Sequence, residues 1–312
     1  MANITYFLSD KFNYRLMICN DAGPNYASSY GWRTEMLSSI LTSNSDICVI
    51  DNRIDLSEFS HVIEALKKRD SIYLLKVVDT YVESSKQDYM QFLLSLKSQS
   101  NLFFLSPYQP EEIGQELVFK HGLDHFIQVP YAYIETREIN FPLQKRKKRV
   151  VVSGNLAPVG YPFRAKFHQQ TYHKFWSLFK TAYLPHPGYP DIGFKLNHEY
   201  VGDSYINFLS QYYFMLQCPG RLKFEYLKYS ECAYAGCVAV GKKPLSLSDL
   251  PNELLFNVDE NDIHGSVKKL FQISLQELEE MATGYRQWMR INRNPEYLNR
   301  LLLLQLEGAF DE

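Results

Sequence analysis

Residues 221–240 read Arg-Leu-Lys-Phe-Glu-Tyr-Leu-Lys-Tyr-Ser-Glu-Cys-Ala-Tyr-Ala-Gly-Cys-Val-Ala-Val. Cations open the stretch at Arg221 and Lys223, and a helical pattern over Leu222–Ala235 carries Glu231 near its middle. Gly236 then turns the chain into a short apolar strand, Cys237–Val240. Just before, Tyr212–Gln217 reads as another buried strand, stopped by Pro219-Gly220. Strand, cationic loop, helix, glycine turn and strand make a βαβ unit, which takes ligands at the carboxyl ends of its strands. Unpaired N–H groups at a helix start favour an anion, and Arg221 and Lys223 are expected there. A carboxylate further along, Glu231, suits ribose hydroxyls. The pattern points to a nucleotide site. Without a ligand, Lys228 and Glu231 would be a solvated i,i+3 pair on an ordinary amphipathic helix.

Two segments upstream bear on that choice. Arg149–Arg164 reads Arg-Val-Val-Val-Ser-Gly-Asn-Leu-Ala-Pro-Val-Gly-Tyr-Pro-Phe-Arg. Consecutive valines make a buried parallel strand. Ser153-Gly154-Asn155 is a turn that lets backbone N–H groups approach a ligand. Pro162 fits the first turn of the next helix and places Arg164 near it. Leu184-Pro185-His186-Pro187-Gly188-Tyr189 is a rigid loop; a histidine between two prolines serves loop packing or bonds a phosphate or sugar hydroxyl.

Lys228, Glu231, Ala235, Gly236, Cys237 and Val240, spaced Lys-x-x-Glu-x-x-x-Ala-Gly-Cys-x-x-Val, resemble the C-terminal donor-site helix of GT-B glycosyltransferases, with an exostosin-like flavour. The Ser-Gly and Tyr-Pro-x-Arg segment and His-Pro-Gly-Tyr, in that order along the chain, are similar to the same group. The resemblance covers about residues 148–290. It implies an α/β fold of two Rossmann-like domains facing a cleft, with the last helix crossing back to the N-terminal domain. Residues 1–140 would be the acceptor domain, 147–292 the nucleotide-sugar donor domain, and 295–312 the returning helix. In such families the matching Glu bonds the donor ribose and basic residues hold the diphosphate. The donor-binding set implied here is Ser153, Gly154, Asn155, Arg164, His186, Arg221, Lys223, Lys228 and Glu231. The chain departs from the pattern at Lys228 (an Arg in the family), at Ala239 (a Pro), and at Lys223, where many relatives carry the first of two Glu residues.

Bulk properties fit this class. The 312 residues suffice for two domains, and 46% hydrophobic composition excludes disorder as the main state. Lys plus Arg number 33 against 35 Asp plus Glu, so no basic field exists to hold a nucleic acid. Lys145–Arg149 is a local basic run, read either as a solvated linker end or as peripheral attachment to an anionic membrane surface. Five cysteines with no CxxC or Cys/His spacing argue against a structural zinc or a disulfide framework. The start shows no signal-peptide pattern and no run of about 20 apolar residues occurs, so a soluble cytoplasmic protein is expected. GxGxxG, GxxxxGK[ST], Gly-x-Ser-x-Gly and Asp-x-Asp patterns are all missing. No cofactor or metal is expected, the nucleotide sugar being a substrate.

Along the first half, strands are expected at Ile4–Leu8, Arg15–Cys19, Ile47–Asp51, Ile72–Val78, Leu102–Leu105 and Phe126–Val129. Helices alternate with them near Ser28–Leu41, Leu56–Lys68, Ser84–Lys97 and Pro110–Lys120. The second half alternates in the same way and ends in Leu275–Ile291, a Pro295 break, and an apolar run over Tyr297–Leu306.

The chemistry expected is metal-independent transfer of a hexosyl or pentosyl group to a hydroxyl of a glycan or small molecule, as in glycan biosynthesis. Arg164, Arg221, Lys223 and Lys228 would stabilise the leaving diphosphate. A base must reach the acceptor hydroxyl. Among the strand-end acids Asp21, Asp51 and Asp79, Asp21 in a flexible loop is the first candidate catalytic residue and Asp79 the second. Both equally suit helix N-caps or Asx turns. Two alternatives keep the fold: a nucleotide-sugar epimerase, and a non-catalytic nucleotide- or sugar-binding protein.

Overall fold

The computed structural model describes residues 2–19, 22–68, 70–77, 87–108, 123, 125–172, 180–189, 193–194, 200–220 and 223–311. The chain divides into two compact units, one of Met1–Ala132 with Pro295–Glu312 and the other of Tyr133–Asn294.

The first unit is built on a parallel sheet of strands β1 (Ile4–Leu8), β2 (Arg33–Met36), β3 (Ile47–Ile50), β4 (Ile72–Lys76), β5 (Leu102–Ser106) and β6 (Phe126–Gln128), in the order β2-β1-β3-β4-β5-β6. Its inner strands are continuous apolar runs buried on both faces, as a helix-covered parallel sheet requires. Helices α1 (Gly23–Ser29), α2 (Phe59–Ala65) and α3 (Gln87–Leu96) lie between strands.

Two expectations fail here. Arg15–Cys19 is not a strand: Tyr14–Ile18 is a 3-10 turn, started by the Asn13 side chain accepting from the Arg15 N–H at 3.1 Å. This is the local side-chain competition with the sheet that Asn offers. Nor is Ser28–Leu41 a helix. Gly31, at φ +74°, turns the chain after α1 into the edge strand β2, which pairs parallel with β1. Edge exposure left β2 without an apolar run to read. The expected helix at Pro110–Lys120 lies outside the described residues.

The second unit holds a parallel sheet of β7 (Lys147–Ser153), β8 (Thr181–Leu184), β11 (Tyr212–Gln217), β12 (Val238–Gly241) and β13 (Leu255–Asn257), ordered β13-β12-β11-β7-β8, beside a short ribbon of β9 (Gly188–Tyr189) and β10 (Gly193–Phe194). Its helices are α4 (Pro162–Tyr172), α5 (Gly202–Leu209), α6 (Lys228–Ala235), α7 (Ile263–Leu270) and α8 (Leu275–Asn292). The valine run splits by pleat. Val151 packs with α5, α6 and α8, while Val150 and Val152 pack with α4 and α7.

This unit begins before residue 147. The Ile134 N–H donates to the Tyr234 hydroxyl at 2.8 Å, the Ile139 N–H to the Tyr234 carbonyl at 2.8 Å, and the Tyr133 ring stacks on Tyr234. Residues 133–140, expected with the first domain, therefore pack on α6.

After Pro295 the last helix, α9 (Pro295–Asp311), belongs to the first unit. Leu298, Leu302 and Leu306, four apart, are buried on one stripe. Polar pairs fix its register. Trp32 Nε1 donates to Asn299 at 2.7 Å, Asn299 to the Tyr30 carbonyl at 2.8 Å, and Gln305 exchanges bonds with the Gln128 backbone.

Candidate functional site

The site is assembled at the carboxyl ends of β7 and β8 and the first turn of α6. Gly154 follows β7 at φ +98°, and its N–H donates to the Leu184 carbonyl at 2.9 Å. A side chain there would meet Arg164 Nη1 at 2.9 Å and Lys228 Cε at 3.5 Å, so two cationic side chains converge on this glycine. Arg164, on the first turn of α4, is buried. Its Nη1 donates to the Asn155 carbonyl at 3.0 Å, and its guanidinium lies 4.3 Å from the Tyr161 ring centroid. That stacking holds the fork in place. The Asn155 side chain accepts from the Ala157 N–H at 2.8 Å, shaping the turn. Gly154→Ala is expected to cost at least about 1 kcal/mol in urea unfolding, since both φ and space are wrong, and to displace Arg164.

Helix α6 begins at Lys228, not Leu222. Lys223, at φ +58°, and Gly220, at φ +70°, break the helical pattern, and Glu225 is drawn into a buried ion pair with Arg293 at 2.9 Å. The expectation that Lys223 stands at the helix start therefore fails. Lys223 is an exposed residue four positions before Leu227 caps the helix, and Arg221 lies outside the described residues. Lys228 opens the helix instead. Glu231, expected mid-helix, is buried in its first turn.

The part-buried Lys228 ammonium donates to the Ser153 hydroxyl at 3.1 Å and to the Tyr205 hydroxyl at 3.0 Å. Those two hydroxyls also bond each other. Burial drives the Lys228 pKa from the ordinary lysine value down to about 8; Glu231, one turn along, pulls it up, and Arg164 pushes it down. Burial likewise raises the Tyr205 phenol well above the usual range, so it stays neutral. Ser153, Gly154, Asn155, Arg164, Lys228 and Glu231 are thus neighbours. His186 follows β8 at the same sheet edge; it is exposed, and its Nδ1 accepts from the Gly188 N–H at 3.0 Å.

Tyr205 was not legible in the sequence, since a tyrosine early in a helix carries no motif among 23 tyrosines. Tyr161 opens the Tyr-Pro-x-Arg pattern, but its contact with the Arg164 guanidinium was not read from it. Glu225 was also missed, for only its partner Arg293, 68 residues on, gives it meaning.

At the other end of α6 the chemistry differs. A groove of about 550 Å³ runs along Asn140, Arg146, Gly236, Arg286 and Arg290. Arg146 donates to the Ala235 and Gly236 carbonyls at 2.8 Å, and Arg286 to the Ala233 and Tyr234 carbonyls at 2.9 and 3.1 Å. They neutralise the negative end of the helix. Arg146, part of the basic run, is therefore spent internally.

In the first unit, Asp21 and Asp79 lie outside the described residues. Asp51, the remaining strand-end acid, is fully buried and accepts from the Tyr6 hydroxyl and from the Arg53 N–H at 2.7 Å. Lys76 Nζ donates to the Tyr6 hydroxyl at 3.2 Å and lies 3.6 Å from the Tyr26 ring centroid.

No family model matches the sequence, and comparison with curated proteins gives no match. Solved structures do. HepE of Anabaena, in complex with UDP-glucose, aligns at a TM-score of 0.56 and 9% identity over 99% of this chain and 100% of its own. The T4 phage β-glucosyltransferase aligns at 0.57 and 12% over 99% of each chain. TarM aligns at 0.54 and 10% over 85% of this chain, and this chain spans 55% of TarM. The fold is that of GT-B glycosyltransferases. Two parallel sheets with helices, ending in a helix of the first unit, are its parts in this chain.

Proposed function

We propose that the protein is a glycosyltransferase that takes a sugar from a nucleoside diphosphate sugar and passes it to a hydroxyl acceptor. The observation carrying this reading is the convergence of Arg164 and Lys228 on Gly154, with Glu231 in the same helical turn. Two cations beside a glycine turn suit a diphosphate, Arg as a fork and Lys as a point charge. A carboxylate one turn along suits ribose hydroxyls. Support also comes from the fold neighbours described as bound to UDP-glucose or as a glucosyltransferase.

In the proposed reaction, an acceptor oxygen attacks the anomeric carbon while the bond to the diphosphate breaks. Arg164 and Lys228 then meet the charge that grows on the leaving phosphate. They would do so without a divalent ion, and the base would be Asp21 or Asp79. Peripheral attachment to an anionic membrane would draw on Lys145, Lys147 and Lys148, which are exposed.

The test is thermal stabilisation and nucleotide release with a panel of UDP-, GDP- and CMP-sugars. Stabilisation by one donor with slow hydrolysis is expected. Stabilisation without release indicates a binding protein, and exchange of sugar isomers an epimerase. Hydrolysis is expected to persist in excess chelator and to weaken with salt, which screens cations. Full loss on chelation, restored by magnesium or manganese, would overturn the metal-independent mechanism.

A further inference from the structure

Lys228 is held in an unusual way for a phosphate-binding cation. Among the described residues the ammonium donates to two neutral hydroxyls rather than to a carboxylate, Ser153 from β7 and Tyr205 from α5. The Tyr205 ring also lies under it, with Nζ 4.5 Å from the centroid. Among the described residues, the charged groups facing it are Glu231 of its own helix and Arg164 of α4, of opposite effect. Ser153 and Tyr205 are themselves buried, so the two oxygens cannot exchange their places for water without opening the core.

We infer that Tyr205 and Ser153 are positioning residues that keep the proton on Lys228, and that the site grips a nucleoside diphosphate only while that proton remains. Alkaline pH would therefore release the donor. This rests on the nucleotide-site reading above.

The physical reason is competition. Burial and Arg164 favour the neutral amine, while the two acceptor oxygens, the Tyr205 ring and Glu231 favour the ammonium. The balance places the proton's loss at about pH 8, within reach of ordinary conditions. An arginine at this position would keep its charge throughout. A bound diphosphate adds negative charge and holds the proton more tightly, so by linkage proton loss weakens binding. With the unliganded midpoint at about 8, affinity should fall about tenfold between pH 7 and pH 9.

Two measurements test this. The first needs no nucleotide: trace acylation of amines in the unliganded protein from pH 6 to 10.5, with Lys228 labelling read by mass spectrometry. A midpoint near 8 is expected for wild type, and a lower one for Tyr205→Phe and for Ser153→Ala, because each removes an acceptor from the ammonium. The two variants back each other should one fold poorly. The second is UDP-glucose affinity by calorimetry over pH 7 to 9, whose diphosphate ester stays ionised throughout. Wild type should lose affinity about tenfold and Lys228→Arg should be flat. A labelling midpoint at the ordinary lysine value, or one unmoved in both hydroxyl variants, overturns the positioning role. Binding that stays constant with pH in wild type overturns the switch and leaves the nucleotide site standing. No binding of UDP-, GDP- or CMP-sugars at any pH, with the labelling midpoint still displaced, overturns the nucleotide reading and the switch with it, but not the hydroxyl cradle.

Discussion

Arg293→Met is expected to lower the stability of the protein by about 3–5 kcal/mol, the usual cost of leaving one member of a buried ion pair alone. Arg293 Nη2 and Nε donate to the two Glu225 carboxylate oxygens at 2.9 and 3.0 Å, and both side chains are almost fully buried. The same guanidinium donates to the Asn292 and Ser246 carbonyls at 2.9 Å, and the Arg293 carbonyl accepts from the Tyr133 N–H at 2.7 Å. One residue thus ties the end of α8 to the segment before α6. Removing it strands the Glu225 charge and frees the chain that leads into Lys228. Urea unfolding followed by tryptophan fluorescence reads the loss, Trp288 lying 5.1 Å from the guanidinium. Arg293→Met with Glu225→Leu should recover much of it, because an apolar pair of similar size carries no stranded charge. A loss below about 1 kcal/mol in the single variant would show the pair to be solvated.

Lys228→Met is expected to weaken UDP by about 1.5–3 kcal/mol, the range for a hydrogen bond to a charged group, while leaving uridine nearly untouched. Glu231→Ala should weaken UDP and uridine alike, by about 1–3 kcal/mol, because the ribose is common to both. The contrast separates phosphate contact from sugar contact. For Lys228→Met it also separates a lost contact from damage to the fold, which would move the two ligands together; for Glu231→Ala an unchanged melting temperature makes that separation. Calorimetric titration of the two ligands into each variant checks it. Equal weakening of UDP and uridine by Lys228→Met would make that residue a packing or steering group.

How much of this was legible in the sequence follows from what kind of signal each element carries. Tyr212–Gln217, Thr181–Leu184 and Ile4–Leu8 are buried runs bounded by breakers, and each strand forms where its pattern lies. Arg33–Met36 is a half-exposed edge strand with two charges, and nothing in it resembles a strand of that kind. Gly154, Arg164, Lys228 and Glu231 could be named as candidates from local motifs, and the structure brings them together. The start of α6 could not be placed, since Leu222 to Leu227 has good helical periodicity. What overrides it is the Glu225 pairing with a residue 68 positions away, a tertiary effect that no local window contains. Tyr205 was hidden for the same reason: its role exists only once α5 lies against β7.

The central claim is that the carboxyl edge of the second unit's sheet holds a nucleotide sugar between Arg164, Lys228 and Glu231. Titration of UDP-glucose into the wild type and into Lys228→Met/Glu231→Ala, at neutral pH in excess chelator, tests it most directly. One saturable site in the wild type, weakened at least about a hundredfold in a double variant that melts normally, is the predicted result. Wild-type protein that binds none of the UDP-, GDP- and CMP-sugars, or a double variant that binds as tightly as the wild type, would contradict it.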